Sequence, residues 1–109
     1  YPVDSRMKLY REEQFGPILP LMRFTDIDDV LERANASDLG LAGTVWSKDI
    51  DAALRVAERM ETGNVWINEG LALSPFAAFG GRKQSGVGVE NGIEGLMSYT
   101  EAKTFVIPA

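Results

Sequence analysis

Two stretches of the chain carry apolar residues at helical spacing. In "TDIDDVLERANA", Ile27, Val30, Leu31 and Ala34 fall at i, i+3, i+4 and i+7, the stripe of one helix face. Thr25 followed by Asp28 forms a capping-box pattern, and Asp28, Asp29 and Glu32 suit the positive end of the helix dipole. Asn35 and Gly40 bracket its end. Ile50, Ala53, Leu54, Ala57 and Met60 repeat the stripe after Asp49, and Gly63 is predicted as the C′ residue. Three runs read instead as short strands: "ILPLMRF" (18–24), "LAGTVWS" (41–47) and "NVWIN" (64–68). Pro20 makes the first an edge strand or the start of one. In the third, Val65 and Ile67 share one side, and Trp66 and Asn68 the other. Trp46, Trp66 and Met60 are predicted to pack in the core. The order strand–helix–strand–helix–strand with short loops predicts an α/β fold: a parallel βαβαβ sheet with helical crossovers.

The pattern changes after Asn68. "EGLALSPFAAFGGRKQSGVGVENG" reads as loop, with glycines at 70, 80, 81, 86, 88 and 92. A connection this long is expected to be functional or to wrap another surface. It does not read as a phosphate loop, which requires Lys and then Ser or Thr after the last glycine; Gly86 is followed by Val87 and Gly88. "GVGVENG" is one residue too long for the dinucleotide fingerprint and follows a loop, not a strand. The glycines are therefore expected to serve positive φ and close approach. A short helix is predicted over 92–98, and Phe105, Val106 and Ile107 read as a terminal strand whose partner need not lie in the same sheet.

Composition narrows the chemistry. With 109 residues, 45 % hydrophobic and 25 % charged, the chain is globular and of one-domain size. A net charge of −5 disfavours nucleic acid and anionic membrane surfaces as partners. No apolar run approaches the ~18 residues of a spanning helix. The chain contains no cysteine and no histidine, which removes disulfides, a thiol nucleophile, a zinc site and a Ser-His relay. Any chemistry beside these residues draws its central groups from elsewhere. The opening "YPVDSRMKLY" reads as the middle of something, so a piece of a longer protein is expected, with a cytoplasmic location.

Arg82 and Lys83 form a basic pair in an acidic chain, either a solvated loop or an ion pair at a subunit interface. Glu12 and Glu13 are adjacent in "EEQFGP", so in an extended segment they point to opposite sides and cannot form a dyad. An inward carboxylate beside Phe15 can accept hydrogen bonds from sugar hydroxyls while the ring covers a planar heterocycle.

Several motifs agree in order and spacing: E-E-x-F-G-P at 12–17, A-N-x-x-x-x-G-L at 34–41, G-x-V-x-x-N at 63–68, F-G-G-x-K-x-S-G at 79–86 and Y-T-x-x-K at 99–103. From about Met7 to Val106 the chain closely resembles the C-terminal part of the aldehyde dehydrogenase superfamily. The resemblance implies oxidation of an aldehyde to a carboxylic acid with NAD or NADP, through a cysteine thiolate and a water-activating glutamate that lie upstream in the family. A chain without cysteine is then inactive by itself. By similarity, Glu13 would accept hydrogen bonds from the nicotinamide ribose and Phe15 would lie near the nicotinamide ring. Phe79 would border the aldehyde pocket, with Leu73 and Ala78 as further wall residues. The family commonly has proline where this chain has Ala78, which loosens the preset φ there. The small Leu73 and Ala78 imply room for bulkier aldehydes. Residues 1–84 would be the end of the catalytic domain, 85–99 a glycine-rich linker with a short helix, and 100–109 an oligomerisation strand of a homodimer or homotetramer. The alternative is a non-catalytic α/β interaction module derived from that fold.

Overall fold

The computed structural model describes residues 3–109; Tyr1, at which the sequence opens, lies outside them. The chain divides into two units, one up to Ser37 and one comprising Asp38–Ala109.

The first unit contains α1 (Lys8–Arg11) and α2 (Ile27–Asn35). The cap of α2 is Asp26, one residue after the predicted Thr25, and its carboxylate accepts the Asp29 backbone N–H at 2.9 Å. Asp29 and Arg33 then pair across one turn at 2.7 Å. Leu31, from the predicted stripe, is 4 % exposed. Near the start of the unit, the Arg6 guanidinium hydrogen-bonds the Asp4 carboxylate and lowers its pKa.

Residues 18–24 form no strand, which corrects the predicted βαβαβ order. A strand is defined by a ladder partner, and none of the described residues pairs with this run. Pro17 and Pro20 also remove two donors, and Ile18, Leu19, Leu21 and Phe24 are exposed.

The second unit is a βαβ crossover with a small ladder beside it. Strands β2 (Ala42–Val45) and β3 (Asn64–Ile67) are parallel, pairing Ala42 with Asn64 through Val45 with Ile67. Between them runs α3 (Ile50–Ala57), capped by Asp49, whose carboxylate accepts the Ala52 N–H at 2.9 Å. The helix packs on both strands, and Ala53 at its inner face is 1 % exposed. Glu58 ends the helix, so Gly63 is not its C′ residue. Gly63 instead opens β3 at a close approach: a Cβ there would collide with the Gly80 carbonyl oxygen. Met60, half-buried, reaches Gly43 on β2 with its terminal methyl. Trp46 follows the last paired residue of β2 and is 68 % exposed, so it is not a core residue.

Strands β1 (Leu39–Gly40) and β4 (Arg82–Lys83) form an antiparallel ladder that the sequence pattern did not predict. It consumes the basic pair: Lys83 Nζ meets Glu61 of the same chain at 2.8 Å. The helix α4 (Gly92–Met97) matches the predicted 92–98. Gly86, Gly88 and Gly92 all take positive φ. Residues 101–109 carry no regular secondary structure, and Phe105, Val106 and Ile107 are exposed.

Replacing Asp49 by Ala is expected to lower stability by about 1 kcal/mol, with Asp49→Asn nearly neutral, because the lost acceptor leaves a helix N–H unpaired. Urea unfolding followed by circular dichroism measures the difference.

Candidate functional site

The site grows from β3. A polar or aromatic side chain stands at every second position, Asn64, Trp66 and Asn68, and each engages a neighbouring segment through hydrogen bonds. Asn68 sits just past the strand at φ 55, the left-handed region that asparagine tolerates. Its backbone N–H donates to the Val45 carbonyl at 2.9 Å, continuing the parallel ladder. Its carboxamide then substitutes for a further backbone unit: Oδ1 accepts the Ser47 N–H and Nδ2 donates to the Ser47 carbonyl, both at 2.8 Å. A shallow cavity lies at these carboxyl ends of the parallel strands, lined by Trp46, Ser47, Lys48 and Asn68. Ligands of open α/β sheets bind outside that end.

The chain leaving Asn68 is held back against β3. Trp66 Nε1 donates to the Ala72 carbonyl at 2.9 Å, which fixes the backbone immediately before Leu73. Ser74 and Pro75 open a turn closed by the Ala77 N–H on the Ser74 carbonyl at 3.3 Å. The Pro75 carbonyl accepts the N–H of Gly92, whose φ of 63 and close approach to Ala78 both require glycine. The Phe79 ring lies 6.3 Å from that of Trp66, tilted by 35°, within range for an aromatic pair. Phe79 and Glu90 exchange both backbone hydrogen bonds at 2.7 Å as an antiparallel bridge. On the opposite edge, Asn64 Nδ2 donates to the Ala78 carbonyl at 3.0 Å and Asn64 Oδ1 accepts the Gly80 N–H at 3.2 Å.

The three pocket residues expected from sequence thus attach to one strand. Ala78 and Phe79 are half-buried against it, and Leu73, 58 % exposed, follows the residue that Trp66 holds. Glu13 and Phe15 belong to the first unit. Both are exposed and lie outside regular secondary structure, Phe15 at 97 %. Their neighbour Glu12 is engaged elsewhere, capping α1 through its backbone N–H and meeting Lys8 Nζ at 3.8 Å. Among the described residues no cluster of three or more Asp, Glu, His or Cys side chains could hold a metal ion. Asn64 and Glu90 escaped the sequence reading. For Asn64 the available signal was a polar residue opening an otherwise apolar strand, which demands a hydrogen-bonding partner.

Residues 1–105 match the profile of the aldehyde dehydrogenase family. The chain belongs to the aldehyde dehydrogenase family. It is 46 % identical over 105 residues to retinaldehyde dehydrogenase 3 of Homo sapiens, a match covering 96 % of this chain and 20 % of that protein. Retinal dehydrogenase 2 of Gallus gallus is 47 % identical, with the same coverage. In structure, the chain is similar to an aldehyde dehydrogenase of Mycobacterium tuberculosis solved with NAD+, at TM-score 0.91 and 39 % identity. That likeness covers 97 % of this chain and 22 % of the other. Betaine aldehyde dehydrogenase of Staphylococcus aureus, also in complex with NAD+, gives TM-score 0.85 and 44 % identity over 89 % of this chain and 19 % of its own. The chain therefore spans about a fifth of the length of these aldehyde dehydrogenases.

Asn68→Ala removes two hydrogen bonds and puts an alanine at positive φ. It is expected to cost about 1–3 kcal/mol, with Asn68→Gly recovering the backbone part of the loss, as urea unfolding of the two variants measures.

Proposed function

We propose that this chain is the C-terminal part of an NAD(P)-dependent aldehyde dehydrogenase, which oxidises an aldehyde to a carboxylic acid. The observation that carries the reading is family membership over nearly the whole chain, joined to close structural likeness to enzymes solved with NAD+. In this reading Glu13 accepts hydrogen bonds from the ribose hydroxyls of the cofactor. An ionised carboxylate is acceptor-only and suits two vicinal donors. Phe15 lies against the nicotinamide, where a flat wall restricts the orientation of a flat ring. The exposure of both side chains leaves them available to a ligand, and Glu12, tied to α1, is the structural neighbour. When bound, the cofactor would supply a hydride acceptor for the oxidation, with Glu13 and Phe15 as the residues of this chain that would hold its nicotinamide riboside. Leu73, Ala78 and Phe79 border the aldehyde, and holding the reacting groups in register lowers the barrier.

The nucleophilic thiol is supplied by another part of the enzyme, so the 109 residues by themselves do not turn over substrate. Phe105–Ile107 would pair with the sheet of a second subunit in a dimer or tetramer; their exposure supports that use. A cytoplasmic location is supported by the 45 % identity to aldehyde dehydrogenase, cytosolic 1, of Rattus norvegicus.

The assignment of Glu13 is tested in the complete enzyme. Glu13→Gln should lower turnover or cofactor affinity about 5- to 10-fold, the loss of a charge-assisted hydrogen bond. Unaltered kinetics would remove the role. A second measurement addresses the apolar surface. Phe15, Leu19, Leu21, Phe76, Phe105 and Ile107 are all at least three-quarters exposed. The 109-residue chain is therefore expected to self-associate in sedimentation velocity. A clean monomer at micromolar concentration would count against cover by other subunits or domains.

A further inference from the structure

We infer that Asn64 is a positioning residue for the aldehyde pocket, setting the orientation of Phe79 and through it the preference for aldehydes with an aromatic or bulky side. Successive residues of an extended segment direct their backbone groups to alternate edges. At Phe79 the N–H and C=O face Glu90, where both are paired. The C=O of Ala78 and the N–H of Gly80 face the other way, where the Asn64 carboxamide meets both. Residues 78–80 thus sit as the middle strand of a three-part ladder, one of whose outer strands is a single side chain. A primary carboxamide carries one donor and one acceptor side by side, which is what a neighbouring strand would present. A hydroxyl offers one oxygen only, and glutamine is a methylene too long where Gly63 and Gly80 already touch.

The clamp matters because of what stands at 78. Alanine leaves φ free, whereas proline would lock it. With both edges held, the middle residue projects its side chain perpendicular to the ladder plane, and the Phe79 ring is fixed beside Trp66. Without Asn64 one edge is free, and residues 78–80 can turn about the Glu90 bridge.

This inference rests on the proposed role of Phe79 as a wall of the aldehyde pocket. The test uses the complete enzyme with benzaldehyde and acetaldehyde as substrates, and compares Asn64→Ala, Asn64→Asp and Phe79→Ala. Acetaldehyde has only a methyl to place and needs no aromatic wall. Asn64→Ala should lower the ratio of kcat/KM for benzaldehyde over acetaldehyde about tenfold, mainly through the KM for benzaldehyde. The KM for NAD+ should stay within about twofold. Asn64→Asp keeps the acceptor for Gly80 and loses the donor to Ala78, so a fall of about threefold is expected. This variant decides the matter if the alanine enzyme does not fold. If Phe79→Ala shifts the ratio and neither Asn64 variant does, or if both aldehydes and NAD+ suffer equally, the positioning role is overturned. If Phe79→Ala leaves the ratio unchanged, the wall assignment itself fails and takes the inference with it.

Discussion

Four residue pairs between β2 and β3 hold the second unit together, and most of what matters around the site depends on that short parallel ladder. A parallel pair cannot be closed by a tight turn, so the chain spends α3 on the return, and Ala53 is the residue small enough to let the helix settle on the strands. The ladder then outlasts its own backbone. Asn68 extends it with a side chain at the carboxyl end, and Asn64 extends it sideways to residues 78–80. Carboxamides serve both times because they carry the same donor and acceptor as a peptide group.

The described residues bury little of their apolar surface. Parallel sheets are normally covered on both faces. Here Leu31 and Ala53 are the buried hydrophobic side chains among the described residues, while Phe15, Phe76, Tyr99 and Val106 stand almost wholly exposed. The chain spans about a fifth of the length of its relatives, and exposed apolar surface of this extent marks contact faces. Within the second unit, the βαβ crossover gives residues 72–80 a rigid support through Trp66 and Asn64.

Local signals were legible wherever the physics is local. The two long helices announce themselves by apolar spacing and by aspartates that satisfy their first N–H groups; the cap of α2 differed from the expected Thr25 only because Asp26 was better placed to reach Asp29. Strands β2 and β3 were legible from β-branched and aromatic runs between turn residues. The run at 18–24 has similar apolarity but contains Pro20, follows Pro17 and has no ladder partner among the described residues, and apolarity alone does not make a strand. Gly63 was misread for the same reason: a glycine after a helix suggests a cap, whereas its actual demand is space beside Gly80. Trp46, taken for core from its place in the predicted strand 41–47, lies outside the ladder.

By itself the sequence determined helices α2, α3 and α4 but not α1, that two short runs pair as strands, that no thiol or imidazole acts from this chain, and, through its ordered motifs, the family. These follow from neighbours within a few residues or from side-chain inventory. Only the tertiary structure decided that Asn64 brackets Phe79, that Trp66 holds the backbone before Leu73, and that Lys83 turns inward to Glu61. Those contacts join residues 6 to 22 positions apart in the chain. A hydrogen-bonding group carries no mark of its partner until the fold brings one within about 3 Å.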